Sequence, residues 1–212
     1  MSSGELSGSH ATVVLARAER PQRRSLRRCV DLAVALVAIL AVAPLCAVIA
    51  LAIVLEDGGG VIFSQARVGR GGRLFSILKF RTMVSGCAET MDRDAPLAQR
   101  RDDPRCTRVG RVLRRTHLDE LPQLLNVLVG DMTLVGPRPL VPAEDVIVSR
   151  AWAQRRAEQP GLTGAWQVLR SEQRTVAELV ALDRAYLAQR SAWRDLVLMA
   201  RTLGCIARGA GR

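Results

Sequence analysis

Apolar and polar residues fall into blocks of very different period along this chain. Residues 1–28 are Ser-, Gly- and Ala-rich and then arginine-rich, which predicts a flexible basic arm. From Val30 to Leu55 the only charge is Asp31, and Leu32–Leu55 supplies 24 residues, enough for a membrane span of ~20. A cleavable signal peptide is the first alternative, but its apolar core would be shorter, and no small-x-small cleavage site has a secreted-type sequence behind it. Beyond Asp57-Gly58-Gly59-Gly60 the period changes to two. Val61–Gln65 and Leu74–Arg81 read as strands around the Gly-rich turn Gly69–Gly72, hence a small β-hairpin with Ile77, Lys79 and Arg81 on one face. Residues 84–107 read as a polar loop with a short helix, and residues 108–115 are basic. Leu118, Leu121, Leu124, Leu125 and Leu128 recur at helical spacing and predict a buried face over 118–129. Residues 172–190 and 192–206 read as two helices, the second able to lie as an amphipathic helix on a bilayer or simply to pack. The expectation is a helix-rich α+β fold in three parts: the arm 1–28, a membrane helix 29–56, and a cytosol-facing domain 57–212.

Charge refines the topology without deciding it. The net charge is +11, and both flanks of the apolar run are basic, with six arginines against two glutamates in residues 1–28. Basic flanks stay on the cytoplasmic side. One straight span cannot satisfy both flanks, whereas a re-entrant helical hairpin kinked at Pro44 can, with arms Leu32–Ala43 and Leu45–Leu55 each entering one leaflet. An ordinary span with a mild proline kink stays open on charge alone. The basic balance admits anionic lipid, nucleic acid or a phosphorylated substrate as partner. Aromatic residues are only 3% of the chain, which argues against a base-stacking surface and against nucleic acid. The five cysteines have no C-x-x-C spacing and the two histidines lie far apart, so the thiols read as reduced and a structural zinc site is not expected. Lys79 is the one lysine among 31 basic residues; either a compact ammonium is needed there or it survives by chance.

The chemistry-bearing stretch is Thr116–Pro139. Asp119 and Glu120 are adjacent just before Pro122, a residue suited to a first helical turn. There the positive end of the peptide dipoles favours ionised carboxylates. Adjacent acids diverge by ~100° on a helix, so they are not the facing pair of a glycosidase; one attacks or steers while the other holds a metal or a proton. Taken alone, the two acids read as ordinary first-turn caps, and only their context points to chemistry. Arg114 lies upstream, and Arg138 sits in a doubly proline-braced turn, Gly136-Pro137-Arg138-Pro139, that pre-orients a guanidinium for phosphate.

These pieces stand in one order: Arg28-x-x-Asp31 before the apolar run with Pro44, Phe63-Ser64-Gln65-x-Arg67-x-Gly69, Lys79-Phe80-Arg81-Thr82-Met83, Asp103-Pro104-Arg105, Arg108-Val109-Gly110, the Asp119-Glu120 block, Pro160-Gly161-Leu162-Thr163-Gly164 and Leu182-Asp183-x-x-Tyr186. In that order and spacing, over roughly residues 26 to 206, the chain resembles the bacterial sugar transferases, monotopic phosphoglycosyl transferases that load a sugar phosphate onto a polyprenyl phosphate. The resemblance implies a re-entrant helix and a catalytic domain on the cytoplasmic face of a bacterial inner membrane. It implies a UDP-sugar donor, a polyprenyl (undecaprenyl) phosphate acceptor, Mg2+ and release of UMP, as the first membrane step of a surface glycan. Asp119 would be the nucleophile, Glu120 with Asp119 would hold Mg2+, and Lys79 would orient or pair with Asp119. Arg114, Arg138, Gly136, Pro137 and Asp183 would serve the substrate. Anionic lipids and downstream glycosyltransferases are expected partners. Two departures bear on specificity: Gln159 stands where the family usually has Arg or Lys, and Leu169-Arg170-Ser171-Glu172 follows Gln167-Val168 where the family tends to carry Ser/Asn-Gly-Arg. A membrane-tethered basic adaptor without catalysis, and a transferase that has lost donor binding, are the competing readings.

Overall fold

The computed structural model describes residues 21–84, 103–168 and 175–207, with side chains from 26 to 84, 103 to 168 and 175 to 206. The first element, α1 (Pro21–Asp57), is a single helix of 37 residues. It begins within the stretch read as a flexible arm, because Pro21 suits a first helical position and neither Gly nor Pro separates it from the apolar run. Pro44 lies inside it, and the division into two arms expected there is not seen as a break in the helix. Its segment Leu26–Asp57 is long and apolar enough to cross a membrane, and only 11% of its most apolar window is buried.

The strands β1 (Ile62–Val68) and β2 (Leu74–Phe80) pair antiparallel, with Phe63 opposite Lys79 and Gln65 opposite Ile77, around a 3-10 turn at Arg70–Gly72. Then come α2 (Arg108–Thr116), a 3-10 turn Leu118–Glu120 and α3 (Gln123–Val129). A second pair, β3 (Thr133–Val135) and β4 (Gly161–Thr163), is parallel; between them in sequence lie α4 (Pro142–Ala151) and a 3-10 turn Ala153–Ala157. Helices α5 (Ala165–Val168), α6 (Val176–Ala188) and α7 (Ala192–Ala207) follow. Thr175 and Glu178 form a reciprocal capping box that starts α6. The expected start at 172, like the departure at 169–172, lies outside the described residues.

Three apolar clusters hold these elements together. Ile77, Val127, Met132, Val135 and Leu198 join β2, α3, β3 and α7, with Ala35 of α1. Leu140, Val148, Trp152, Trp166 and Leu179 join α4, α5 and α6. Ile49 and Ile53 of α1 pack on Phe80 and Leu113, with Leu118 and Leu121 alongside. The buried leucine face expected over 118–129 is therefore divided between two clusters. Leu125 is 46% exposed, while the polar Gln123 and Asn126 are buried. The reason is that α3 lies beside a strand edge: Asn126 accepts from Leu78 N and donates to Ser76 O, satisfying β2 where no third strand pairs with it among the described residues.

The first turns of α1 are fastened to this body. Arg28 donates to the carbonyls of Val127 and Leu128, end carbonyls of α3, and Asp31 accepts from Thr133 Oγ1 and Leu134 N. Arg27 pairs with Asp195, which also accepts from the Tyr186 hydroxyl. Two arginines of the basic arm thus serve the fold. The last turn is fastened as well: Glu56 accepts from Arg108 N and Val109 N, capping α2, and Asp57 pairs with Arg81.

Candidate active site

Thr107 caps the start of α2 by accepting from Gly110 N at 2.9 Å. At the far end the chain reverses through His117, whose φ of 57° is the only positive value on a non-glycine among the described residues. This left-handed residue ends α2 and turns the following 3-10 segment back towards β2. Lys79 Nζ on β2 lies 2.8 Å from Glu120 Oε1 and 3.9 Å from Asp119 Oδ2. The three side chains are 12–26% exposed, so they are enclosed enough to interact strongly and open enough to meet a ligand. Sequence-distant Lys79, Asp119 and Glu120 are therefore one constellation. Arg114, near the end of α2, is oriented by its Nε bond to Thr82 Oγ1 at 2.9 Å.

The Gly-Pro-Arg-Pro turn forms a second constellation, joined to the first through β1. Phe63 pairs with Lys79; four residues on, roughly 13 Å along the strand, Arg67 reaches the Pro139 carbonyl. Gly136 and Gly161 touch through their backbones, since a Cβ on Gly161 would fall 2.0 Å from Gly136 N. The Arg138 side chain is half-buried, and no protein partner for its guanidinium occurs among the described residues. Asp183 is 1% exposed and bound to Arg155, so it faces the interior rather than an open cleft. Burial pushes its carboxyl above the usual carboxylate range, and Arg155 offsets this only in part.

No cluster of three or more His, Cys, Asp and Glu that could form an all-protein metal cage occurs among the described residues. Asp119 and Glu120 do suit Mg2+, which takes one or two carboxylates and completes its shell with water and substrate phosphates.

The family model for bacterial sugar transferases matches residues 22–209. The chain belongs to that family. Relatives include the exopolysaccharide production proteins ExoY of Rhizobium meliloti, 38% identical over 91% of each chain, and of Sinorhizobium fredii, 36% identical over 90% of each. The UDP-glucose:undecaprenyl-phosphate glucose-1-phosphate transferase of Caulobacter vibrioides is 47% identical over 84% of this chain and 68% of its own.

For this bacterial sugar transferase, reasoning from sequence missed three roles. Asn126 pins α3 to β2 and so sets Asp119 against Lys79; its being the single asparagine was the one available signal. Arg155 ties Asp183 to the Arg138 carbonyl. Gln159 Nε2 donates to Gly130 O at the end of α3, beside Arg28, so this departure serves a helix end.

Proposed function

We propose that this protein is a phosphoglycosyl transferase that moves a sugar 1-phosphate from a UDP-sugar to a polyprenyl phosphate, undecaprenyl phosphate in bacteria, with release of UMP. It would open the synthesis of an exopolysaccharide or related surface glycan. The observation that carries the reading is the Lys79 ammonium between the Asp119 and Glu120 carboxylates. A carboxylate attacking an anionic diphosphate meets charge repulsion, and a fixed cation at the nucleophile offsets it.

In the first half-reaction an Asp119 oxygen bonds to the sugar-bearing phosphorus. The bond from that phosphorus to the bridging oxygen breaks, and the oxygen leaves with UMP. In the second, a phosphate oxygen of the polyprenyl phosphate attacks the same phosphorus and frees the Asp119 carboxylate. Lys79 holds Asp119 in line and Glu120 holds Lys79. Arg114 and Arg138 bind phosphate oxygens, with Gly136 and Pro137 shaping the turn. Asp119 and Glu120 would hold Mg2+, which would neutralise part of the diphosphate charge.

The placement of α1 supports a cytoplasmic-face, re-entrant attachment to the inner membrane. Asp31 and Glu56 would stand roughly 37 Å apart on a straight helix, more than the ~30 Å hydrocarbon thickness. Yet both bind the same folded body. A full crossing would part them to opposite sides, whereas an unbroken helix that bends at Pro44 and enters one leaflet keeps both. Between them Val37, Leu40, Val48 and Leu51 are each more than half exposed. Trp193, Leu196 and Leu203 form an exposed apolar stripe on α7, whose Asp195 is paired with Arg27 at the start of α1. Lipid contact accounts for that stripe, with anionic head groups as neighbours of the basic surface.

The test is Asp119→Asn assayed with a panel of UDP-sugars, in membranes containing undecaprenyl phosphate. UMP release and the phosphosugar-protein adduct, detected by mass spectrometry of the intact chain, are expected to vanish. Retained turnover in that variant refutes Asp119 as nucleophile. Magnesium-independent lipid binding, with no UMP release from any donor by the unaltered chain, would instead favour the adaptor.

A further inference from the structure

Four consecutive carbonyls of the Gly-Pro-Arg-Pro turn and its exit face donors from three different parts of the chain. Pro137 O accepts from Gly161 N at 2.9 Å, Arg138 O from Arg155 Nη2 at 2.5 Å, Pro139 O from Arg67 Nη1 at 3.5 Å and Leu140 O from Val68 N at 2.9 Å. The two prolines have no N–H to give. The backbone of the turn is thereby fixed, while the Arg138 guanidinium has no protein partner among the described residues.

Of the two side chains that hold the turn, Arg155 is the better built. It is 7% exposed, and its Nε donates to Asp183 Oδ2 at 2.8 Å while Nη2 donates to the Arg138 carbonyl. Only a guanidinium offers two N–H groups in a fixed fork to partners in different directions; a lysine offers one nitrogen. Asp183 in turn is 1% exposed and holds no other ion pair among the described residues, so its visible task is to orient Arg155.

We propose that Arg155, oriented by Asp183, is a positioning residue that fixes the Arg138 turn so that the Arg138 guanidinium is pre-set for the donor's diphosphate. The inference rests on the reading above that Arg138 binds phosphate. It moves Asp183 from the substrate to the support of a support. A guanidinium already placed loses little freedom on binding, which is where such support gains affinity.

A double-mutant cycle tests it on the full chain in phospholipid nanodiscs, with UDP as the binding probe and UMP release as the kinetic one. Arg138→Ala is expected to weaken UDP about tenfold, the loss of one charge-assisted contact. Arg155→Lys is expected to weaken UDP nearly as much, raising the donor KM more than it lowers kcat. The double variant should bind no worse than Arg138→Ala alone, because the positioning residue then has nothing left to position. If the two losses multiply, Arg155 acts independently of Arg138 and the proposal falls, while the phosphate role of Arg138 stands. Unchanged UDP binding in Arg138→Ala overturns both. Should Arg155→Lys fail to fold, Asp183→Asn, which keeps shape and removes charge, takes its place in the cycle. Failure of both to fold would mark a purely structural ion pair and overturn the proposal.

Discussion

The Asp119 constellation and the Arg138 turn are held by opposite means. Asp119, Glu120 and Lys79 are partly exposed and meet through charge, on segments positioned by a left-handed His117 and the Asn126 pins. The Arg138 turn is held by backbone contact so close that Gly136 and Gly161 leave no room for a methyl group. The difference follows from the tasks proposed for them. A group that forms and breaks a bond has to change its partners, whereas an anion clamp works best when it does not move. The turn should accordingly be sensitive to volume, and the carboxylate side to charge, geometry and pH.

The largest effect expected is steric. Gly161→Ala would place its Cβ 2.0 Å from Gly136 N and 2.5 Å from Thr163 O, both backbone atoms that cannot swing aside. A forced separation of β3 and β4 should cost about 3 kcal/mol or more, read as a lower thermal midpoint together with lost UMP release. Gly60→Ala is the control: nothing lies within 4 Å of its added Cβ, so both readings should stay near those of the unaltered chain. Equal behaviour of the two variants would show that the turn is not sterically held.

The opposite sensitivity is expected at Lys79. Lys79→Arg conserves charge but replaces a compact ammonium, 2.8 Å from Glu120 and 3.9 Å from Asp119, with a planar fork of different reach. Turnover should fall about tenfold to a hundredfold, the scale for a misplaced charge at a reacting centre, while the thermal midpoint barely moves. Undiminished turnover would mean that the single lysine of the chain is there by chance, and would weaken the electrostatic half of the comparison.

How much of this could be read from sequence also differs between the two regions. The Asp119 side was largely legible, because its parts announce themselves locally: period-two alternation around Lys79, a proline at 122, adjacent acids. The two strands formed close to the bounds read, while the acids lie in a 3-10 turn ahead of α3 rather than in its first turn, and Lys79 meets them there. The supports of the Arg138 turn were not legible. Arg155, Asp183 and Arg67 bond to it or to each other across 17 to 72 residues, and an arginine in a helical or strand pattern gives no sign that it is buried. The same holds for Arg27 and Arg28, which resemble a lipid-binding run but reach partners about a hundred residues away. The leucine spacing over 118–129 held for Leu118, Leu121, Leu124 and Leu128 but not for Leu125, for a related reason. Periodicity finds the apolar side of a helix, and α3 also buries polar side chains because a strand edge needs Asn126.

The smallest expected effect concerns pH, and it separates the two regions by sign. Asp103 is 2% exposed and closes the approach to α2, accepting from Arg105 N, Nε and Nη2. The Arg105 bonds hold its carboxyl below the ordinary value of 3.8. A lowered folded value means that the unfolded chain takes up the proton first as pH falls. The Asp103 contribution is therefore complete above about 3.8 and drains as pH drops through the folded value. Asp183, raised by burial, has the opposite slope: its ionised form costs stability that protonation returns. Asp103→Asn should lower stability at neutral pH by about 1 kcal/mol, the scale of an ion pair with an exposed partner, since the Arg105 side chain is 33% exposed, and should flatten the loss between pH 4 and the acid limit, roughly the range of a depressed carboxylate. Thermal midpoints of the two chains, measured from neutral pH downward, should converge in acid. A constant gap at every pH would show that Asp103 acts through shape alone, and the charge-held character of the Asp119 side would then rest on Lys79 without support from the loop before α2.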